Sequence, residues 1–337
     1  MRLSFIVPCH NVERYIGYCL GSILSCDLPS AEYEVLCVND CSSDSTLAIL
    51  NHWASQYSQI HVINLYKNLG PSAARNIALL KATGKYIWYI DSDDSISYSV
   101  VNNLLRKAES NSLDVLIFNF DRQNERRELI SESLYLPDSG IYEGTPFIKQ
   151  VMKEMFYQNF GYVWRFLYLK DFLLNHDLLF PEGVIWEDTL YVPRSIIEAK
   201  KIASSSFVGY HYLSRQTSFC NVMAKTYPSK WIFDYVFHAG YDLLIYSQSV
   251  KDYSIRSGIY DFSKQYYLFH NFILYLLRTS AAERKNFYRI VKNERSLVDR
   301  VKKEMKIPVA ILLMPFIGII ISNTISCIYK LKKWIFN

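Results

Sequence analysis

Short apolar runs and helix-period stretches alternate along the first third of the chain. Leu3–Val7 is an apolar run stopped by Pro8, the pattern of a buried strand. From Val12 to Leu24 the apolar residues Val12, Ile16, Leu20, Ile23 and Leu24 recur at helical spacing. Glu34–Val38 reads as a second strand, and Ser43 is placed to cap a helix running through Leu47, Leu50 and Trp53. Ile60–Leu65 is a third strand, followed by the Ala-rich helical stretch Ser72–Ala82 with Gly84 as its C-cap. Lys85–Ile90 is a fourth strand running into Asp91-Ser-Asp-Asp94, and Asp114–Phe120 reads as another. Strands separated by helices predict an α/β fold whose parallel sheet is covered on both faces.

The pattern then changes. Residues 121–145 are polar, with an Arg/Glu run from Arg122 to Glu128, and read as an exposed loop or hairpin. From Pro146 to about Ser206 the spacing is helical and aromatic, and residues 230–283 continue as Tyr/Phe-rich helices. Residues 284–306 read as an amphipathic helix, with Phe287, Ile290, Val291, Val298, Val301 and Met305 on one face. Ile307–Tyr329 has no charged residue and, at about 1.5 Å per residue, reaches across roughly 30 Å of hydrocarbon. Three regions follow: an α/β domain over 1–225, a helical, aromatic and basic region over 226–306, and a membrane-associating tail over 307–337.

Composition sharpens this picture. Half of the 337 residues are hydrophobic and 20% are charged, which excludes a disordered chain. The net charge is only +5, yet residues 284–306 carry nine Lys/Arg against three acids, and Lys330, Lys332 and Lys333 follow. The body is therefore mildly acidic and the end basic. That distribution suits a protein held at an anionic membrane surface, on the cytoplasmic face, and not a nucleic-acid partner. The seven cysteines contain no CxxC pair, which argues for reduced thiols in a cytosolic compartment. The N-terminal apolar run is too short for a secretory signal.

Several chemistries are absent. There is no GxGxxG, no GxxxxGK, no HExxH and no GxSxG, which disfavours dehydrogenases, P-loop enzymes, zinc proteases and nucleophile-elbow hydrolases. What stands out is polar clustering at the predicted carboxyl ends of strands: Cys9-His10-Asn11, Asn39-Asp40 and Asp91–Asp94. Ligands of open α/β sheets bind at that edge. Asp91, Asp93 and Asp94 repel one another unless a cation neutralises them, and a hard divalent ion gripping a diphosphate fits.

Four segments occur in order: Ile6-Val-Pro-Cys-His-Asn-Val-Glu13, Val38-Asn-Asp-Cys-Ser-Ser-Asp44, Asn68-Leu-Gly-Pro-Ser-Ala-Ala-Arg-Asn76 and Tyr89-Ile-Asp-Ser-Asp-Asp94. Together they resemble the family 2 glycosyltransferases, inverting enzymes of GT-A fold that use nucleotide-sugars. The resemblance covers residues 1–100 and returns at Val163-Trp164, Leu167-Tyr168 and Pro181-Glu-Gly-Val-Ile-Trp-Glu-Asp188. It implies that Pro8, His10, Asn11, Glu13, Asp40, Arg75, Asn76 and Asp91 form the donor pocket, with Asp40 on the base and His10 stacking where the family has Tyr. It implies that Asp93, with Asp91 and His211, holds a divalent metal, Mn2+ or Mg2+, that Asp188 is the general base, and that Arg215–Ser218 close over the diphosphate. Cys41 stands where the family has Gly, so the turn there is expected either to relax slightly or to hold a strained backbone, and Arg165-Phe166 stand where the family has Asn-Lys, so no role is carried over to them.

The function so implied is transfer of a sugar, from a UDP-sugar, to a saccharide or lipid-linked saccharide in bacterial surface-polysaccharide or lipopolysaccharide assembly. Two rivals stay open. One is a nucleotidyltransferase that makes sugar nucleotides, which needs a Gly-rich basic loop after the first strand. The other is a non-catalytic binding module on the same fold.

Overall fold

The computed structural model describes residues 1–132, 136–143, 161–184, 187–218 and 240–251, with isolated positions beyond them. The chain forms two compact units, Met1–Arg215 and Gln216–Asn337. In the second, the described residues form a helix over Gly240–Ser249. The stretch of 284–306 read as amphipathic lies almost wholly outside the described residues, as does the apolar stretch of 307–329.

The first unit begins with β1 (Leu3–Cys9), α1 (Ile16–Leu24), β2 (Tyr33–Asp40), α2 (Thr46–Gln56), β3 (Ile60–Leu65), α3 (Gly70–Lys81) and β4 (Tyr86–Tyr89). It continues with β5 (Ser95–Ile96), α4 (Val101–Ser110), β6 (Val115–Gln123), β7 (Leu129–Glu132), β8 (Phe166–Leu169), α5 (Lys170–Asn175), α6 (Glu187–Glu198) and β9 (Ile202–Leu213). One nine-stranded sheet runs in the order β3-β2-β1-β4-β8-β6-β9-β5, with β7 paired to β6. β1 to β4 are parallel, so their carboxyl ends share one edge. β8 lies antiparallel to both β4 and β6, which makes the sheet mixed.

The strands are apolar on both faces because helices cover both. Phe5, Val7, Val35, Cys37 and Trp88 pack with Ile16, Leu20 and Ile23 of α1 and Leu104 and Leu105 of α4. Such burial contributes about 1.5–3 kcal/mol per large apolar side chain.

Four local expectations are corrected. Pro8 does not stop β1; it lies within the strand, opposite Val38, where its missing N–H is tolerated on one side. Ser43 does not cap α2; the Oδ1 of Asp44 accepts the N–H of Thr46 at 2.9 Å. Gly84 is not the C-cap of α3, a place taken by Ala82. Gly84 is required because a Cβ there would overlap the backbone nitrogen of Ser4 and the carbonyl carbon of Leu3. Finally, the stretch after Pro146 is not all helical: β8 and the start of β9 fall inside it.

Candidate active site

The shared carboxyl edge of β1, β2, β3 and β4 carries the polar loops. The loop after β1 and the loop after β2 interlock. The Oδ1 of Asn11 accepts the Ser43 N–H at 2.8 Å, and the Oε2 of Glu13 accepts the Ser45 N–H at 2.9 Å. In return, Val12 N–H donates to Thr46 Oγ1 at 2.9 Å and Glu13 N–H to Asp44 Oδ2 at 3.1 Å. Asn11 and Cys41 both take positive φ, 52° and 55°. The Cys41 turn is thus left-handed, where Gly fits without strain. Pro8 is half-buried at the base of this loop, and His10 is exposed on its rim. The Nδ1 of His10 donates to the Asp40 carbonyl at 2.8 Å, and Asn68 meets its ring nitrogens at 3.2 Å.

Asp40, at the end of β2, is 3% exposed. Its Oδ1 accepts the Leu69 N–H at 2.7 Å and its Oδ2 the Gly70 N–H at 2.8 Å. It therefore satisfies orphan amides at the start of α3, where a negative charge also meets the helix dipole. Asn76 is spent similarly: it pairs with the backbone of Phe180 in both directions and donates to Glu182 at 3.1 Å. That fixes the approach to α6.

Arg75 projects from α3 into the centre and is 4% exposed. It donates to Glu187 Oε1 at 2.6 Å and to Asp91 Oδ1 at 2.9 Å, and lies 3.8 Å from Asp188 Oδ1. Its guanidinium also sits over the Phe180 ring, 5.2 Å from the centroid. One cation thus joins the acidic turn after β4 to the two acids opening α6. Asp188 does not serve its own helix as a cap; its Oδ2 accepts the Val163 N–H at 3.2 Å. Its Oδ1 is buried with no hydrogen-bond partner. Burial pushes the Asp188 carboxyl well above the usual carboxylate range; Arg75 pulls it down, while Glu187 and Asp91 add to the rise.

The acids of the Asp91–Asp94 turn have separate fates. Asp94 is 1% exposed and structural: its oxygens accept the Leu213 N–H and the Tyr210 hydroxyl, both at 2.7 Å. That pins β9 to the turn. Asp93 receives two hydrogen bonds from Arg215, at 2.8 and 2.6 Å, both on Oδ2. His211 lies opposite Ser95 in the β5–β9 pairing, and its Nδ1 bonds Asp121 Oδ1 at 2.8 Å.

Among the described residues, no three His, Cys, Asp or Glu side chains already converge as a metal cage. The donor set nevertheless fits a hard divalent ion that keeps waters and is completed by a diphosphate. Both Arg215 bonds leave Oδ1 of Asp93. The Asp121 carboxylate holds Nδ1 of His211 and leaves Nε2, the orientation usual for ligating imidazoles.

Sequence reasoning missed Asp121, Asp44 and Arg127. Asp44 ends the Val38–Asp44 motif, and the resemblance implies no role for it. Asp121 and Arg127 carry no signal, because only strand register and hairpin shape bring them to the turn. Arg165 is buried beneath the site, donating to the Phe118 carbonyl at 3.3 Å over the Phe120 ring; burial lowers its pKa.

The sequence model of Glycosyl transferase family 2 matches residues 4–172. A poly(ribitol-phosphate) beta-glucosyltransferase of Bacillus spizizenii is 30% identical over 218 residues, 64% of this chain and 33% of that protein. The chain thus spans about a third of that relative's length. Among solved structures, Staphylococcus aureus TarS 1–349 in complex with UDP-GlcNAc superimposes with a TM-score of 0.68, covering 87% of this chain and 80% of that one at 22% identity. The mannosyltransferase PcManGT from Pyrobaculum calidifontis, in complex with GDP-Man and Mn2+, gives 0.57 over 98% and 87% at 14% identity. These likenesses establish the GT-A fold.

Proposed function

The chain belongs to glycosyl transferase family 2, and on that premise we propose that it is an inverting enzyme. It transfers a hexosyl or N-acetylhexosaminyl group from a UDP-sugar to a saccharide or lipid-linked saccharide acceptor in cell-surface polysaccharide assembly. The observation that carries this reading is Asp188. One of its oxygens is buried and unbonded beside Arg75, whose guanidinium reaches Asp91 on the opposite side. A carboxylate oxygen kept free of hydrogen bonds, next to the turn expected to hold a diphosphate, is placed to take a proton.

In this reading the acceptor hydroxyl attacks the anomeric carbon from the face opposite the diphosphate and loses its proton to the Asp188 carboxylate. The bond to the diphosphate breaks, and the configuration inverts without a covalent enzyme intermediate. Arg75 opposes the burial that raises the Asp188 carboxyl and orients Asp91. His10 and the interlocked loops bearing Pro8, Asn11 and Glu13 form the rim of the base and ribose pocket. Asp40 and Asn76 hold α3 and the Phe180 segment that shape it. A divalent ion, Mn2+ or Mg2+, held by Asp93, Asp91 and His211 would neutralise the charge of the leaving diphosphate. The Mn2+ in the mannosyltransferase supports that assignment.

The acceptor in the printed name of the Bacillus relative is a poly(ribitol-phosphate), which supports a surface polymer as acceptor here. The basic segment 284–306 and the uncharged segment 307–329 support attachment to the cytoplasmic face of a membrane. No helix among the described residues is long and apolar enough to cross one.

The test is Asp188→Asn, which keeps the Val163 hydrogen bond and removes the proton acceptor. Sugar transfer is expected to fall by about 10² to 10⁴, with UDP affinity near wild type by calorimetry. Transfer at the wild-type rate would sink the assignment and point to Glu187.

A further inference from the structure

Three arginines surround the Asp91–Asp94 turn, and they are unequally satisfied. Arg75 faces Asp91, Glu187 and Asp188, and Arg215 is doubly bonded to Asp93. Arg127 has no carboxylate within ion-pair distance among the described residues. Its Nη2 donates only to the backbone oxygen of Asp93, at 3.4 Å, the outer limit of a hydrogen bond. Its Nη1 is buried and has no acceptor. Arg127 as a whole is half-buried, but a donor nitrogen withdrawn from water without an acceptor carries a free-energy cost.

The hairpin between β6 and β7 is built to present this side chain. The Oδ1 of Asn124 accepts the Arg126 and Glu128 N–H groups at 2.9 and 3.0 Å, and its Nδ2 donates to Glu128 Oε2 at 2.8 Å. Arg127 itself has φ of 63°. That left-handed position favours glycine, so an arginine there is held at a conformational cost, as found at ligand-binding positions. The guanidinium is then fixed by the Tyr18 ring of α1, 3.9 Å from its centroid. Arg215 sits likewise over Tyr15, at 4.5 Å. Two tyrosines, three residues apart at the start of α1, thus orient two arginines toward one acidic turn.

We propose that Arg127 is an oxyanion-binding residue of the active site, receiving a phosphate oxygen beside Asp93. A planar guanidinium backed by an aromatic ring, with no carboxylate partner among the described residues, matches phosphate recognition. The phosphate is that of the donor diphosphate or of a phosphodiester in the acceptor, and the inference rests on the transferase reading above for either source.

The experiment titrates full-length wild type and Arg127→Gly calorimetrically with UDP, uridine, glycerophosphoglycerol, and inorganic phosphate in EDTA. Glycine suits the left-handed φ, so the variant is expected to melt at or above wild type. Phosphate-bearing ligands should bind it about tenfold or more weakly, the loss of one charged hydrogen bond, while uridine binds unchanged. Arg127→Lys should recover part of the loss. Weakening confined to UDP assigns the donor diphosphate, and weakening confined to glycerophosphoglycerol assigns the acceptor. A variant that melts early yet binds every phosphate ligand as wild type does would make Arg127 a structural staple and overturn the proposal. So would a wild type that binds no phosphate ligand in any arm. If the wild type binds inorganic phosphate but no nucleoside diphosphate, the donor reading falls while the phosphate arm still judges Arg127.

Discussion

At the scale of single residues, the site is governed by how one buried cation is shared. Arg75 faces Asp91, Glu187 and Asp188, and it offsets the burial that pushes Asp188 up. A base must be ionised, so transfer should fade as pH drops through this raised value. The acid limb of the rate profile is therefore expected above the ordinary carboxylate value of about 4. Arg75→Gln should move it further up, because the attraction is lost and burial remains. The sign for stability is opposite. A carboxyl whose folded pKa is raised stabilises the fold while protonated, and loses that contribution as pH rises through the folded value. Above that pH, Asp188→Asn should melt no lower than wild type. An acid limb near 4 that ignores Arg75→Gln would refute the assignment.

At the scale of elements, the strand ends do different work. The carboxyl edge carries chemistry, and the opposite edge is locked. There Glu34, 4% exposed, accepts from Ser4 Oγ at 2.6 Å, Thr83 N–H at 2.6 Å and Thr83 Oγ1 at 2.8 Å. Gly84 packs its bare Cα against β1 so closely that a methyl group meets backbone. Gly84→Ala should thus destabilise by at least about 1–3 kcal/mol, the usual cost of overpacking. Denaturant melts measure it, and UDP affinity of the folded fraction should be unchanged, since Gly84 lies at the far end of the strands. Wild-type stability in that variant would mean that β1 and β4 shift apart readily. The helices follow the same division. α3 starts on the Asp40 carboxylate and His10 bonds the Asp40 carbonyl, so the loop bearing His10 and the helix bearing Arg75 are joined through one residue.

At the scale of the whole molecule, the donor and base residues proposed here fall within Met1–Arg215, and the positive charge concentrates near the other end of the sequence. Deleting residues 284–337 should therefore release the protein from membranes to the soluble fraction in a flotation assay, with UDP binding retained. Full-length protein that stays soluble without detergent would remove the membrane role, and loss of UDP binding on deletion would show that the tail supports the pocket.

The order of strands and helices through Ile90 was legible in the sequence because fully buried strands and amphipathic helices differ in apolar period. The residues proposed for the site, Asp40, Arg75, Asp91, Asp93 and Asp188, were named by the resemblance of their motifs to the family's. β8 and β9 were missed as strands, because their Tyr- and Phe-rich segments have no clean alternation and pair with strands distant in sequence. Partnership was also beyond local pattern. Nothing near Asp91 signals that Arg75 ties it to Glu187, or near Asp94 that it serves Tyr210 and Leu213 and not a ligand. Nor does the Arg122–Glu128 run, which reads as solvated, show that Arg127 stacks on Tyr18. The sequence by itself determined which chemical groups are present and at which strand ends. Only the tertiary structure decided which are neutralised by a neighbour and which are left open, because a charge's state depends on burial and on partners brought by long-range packing.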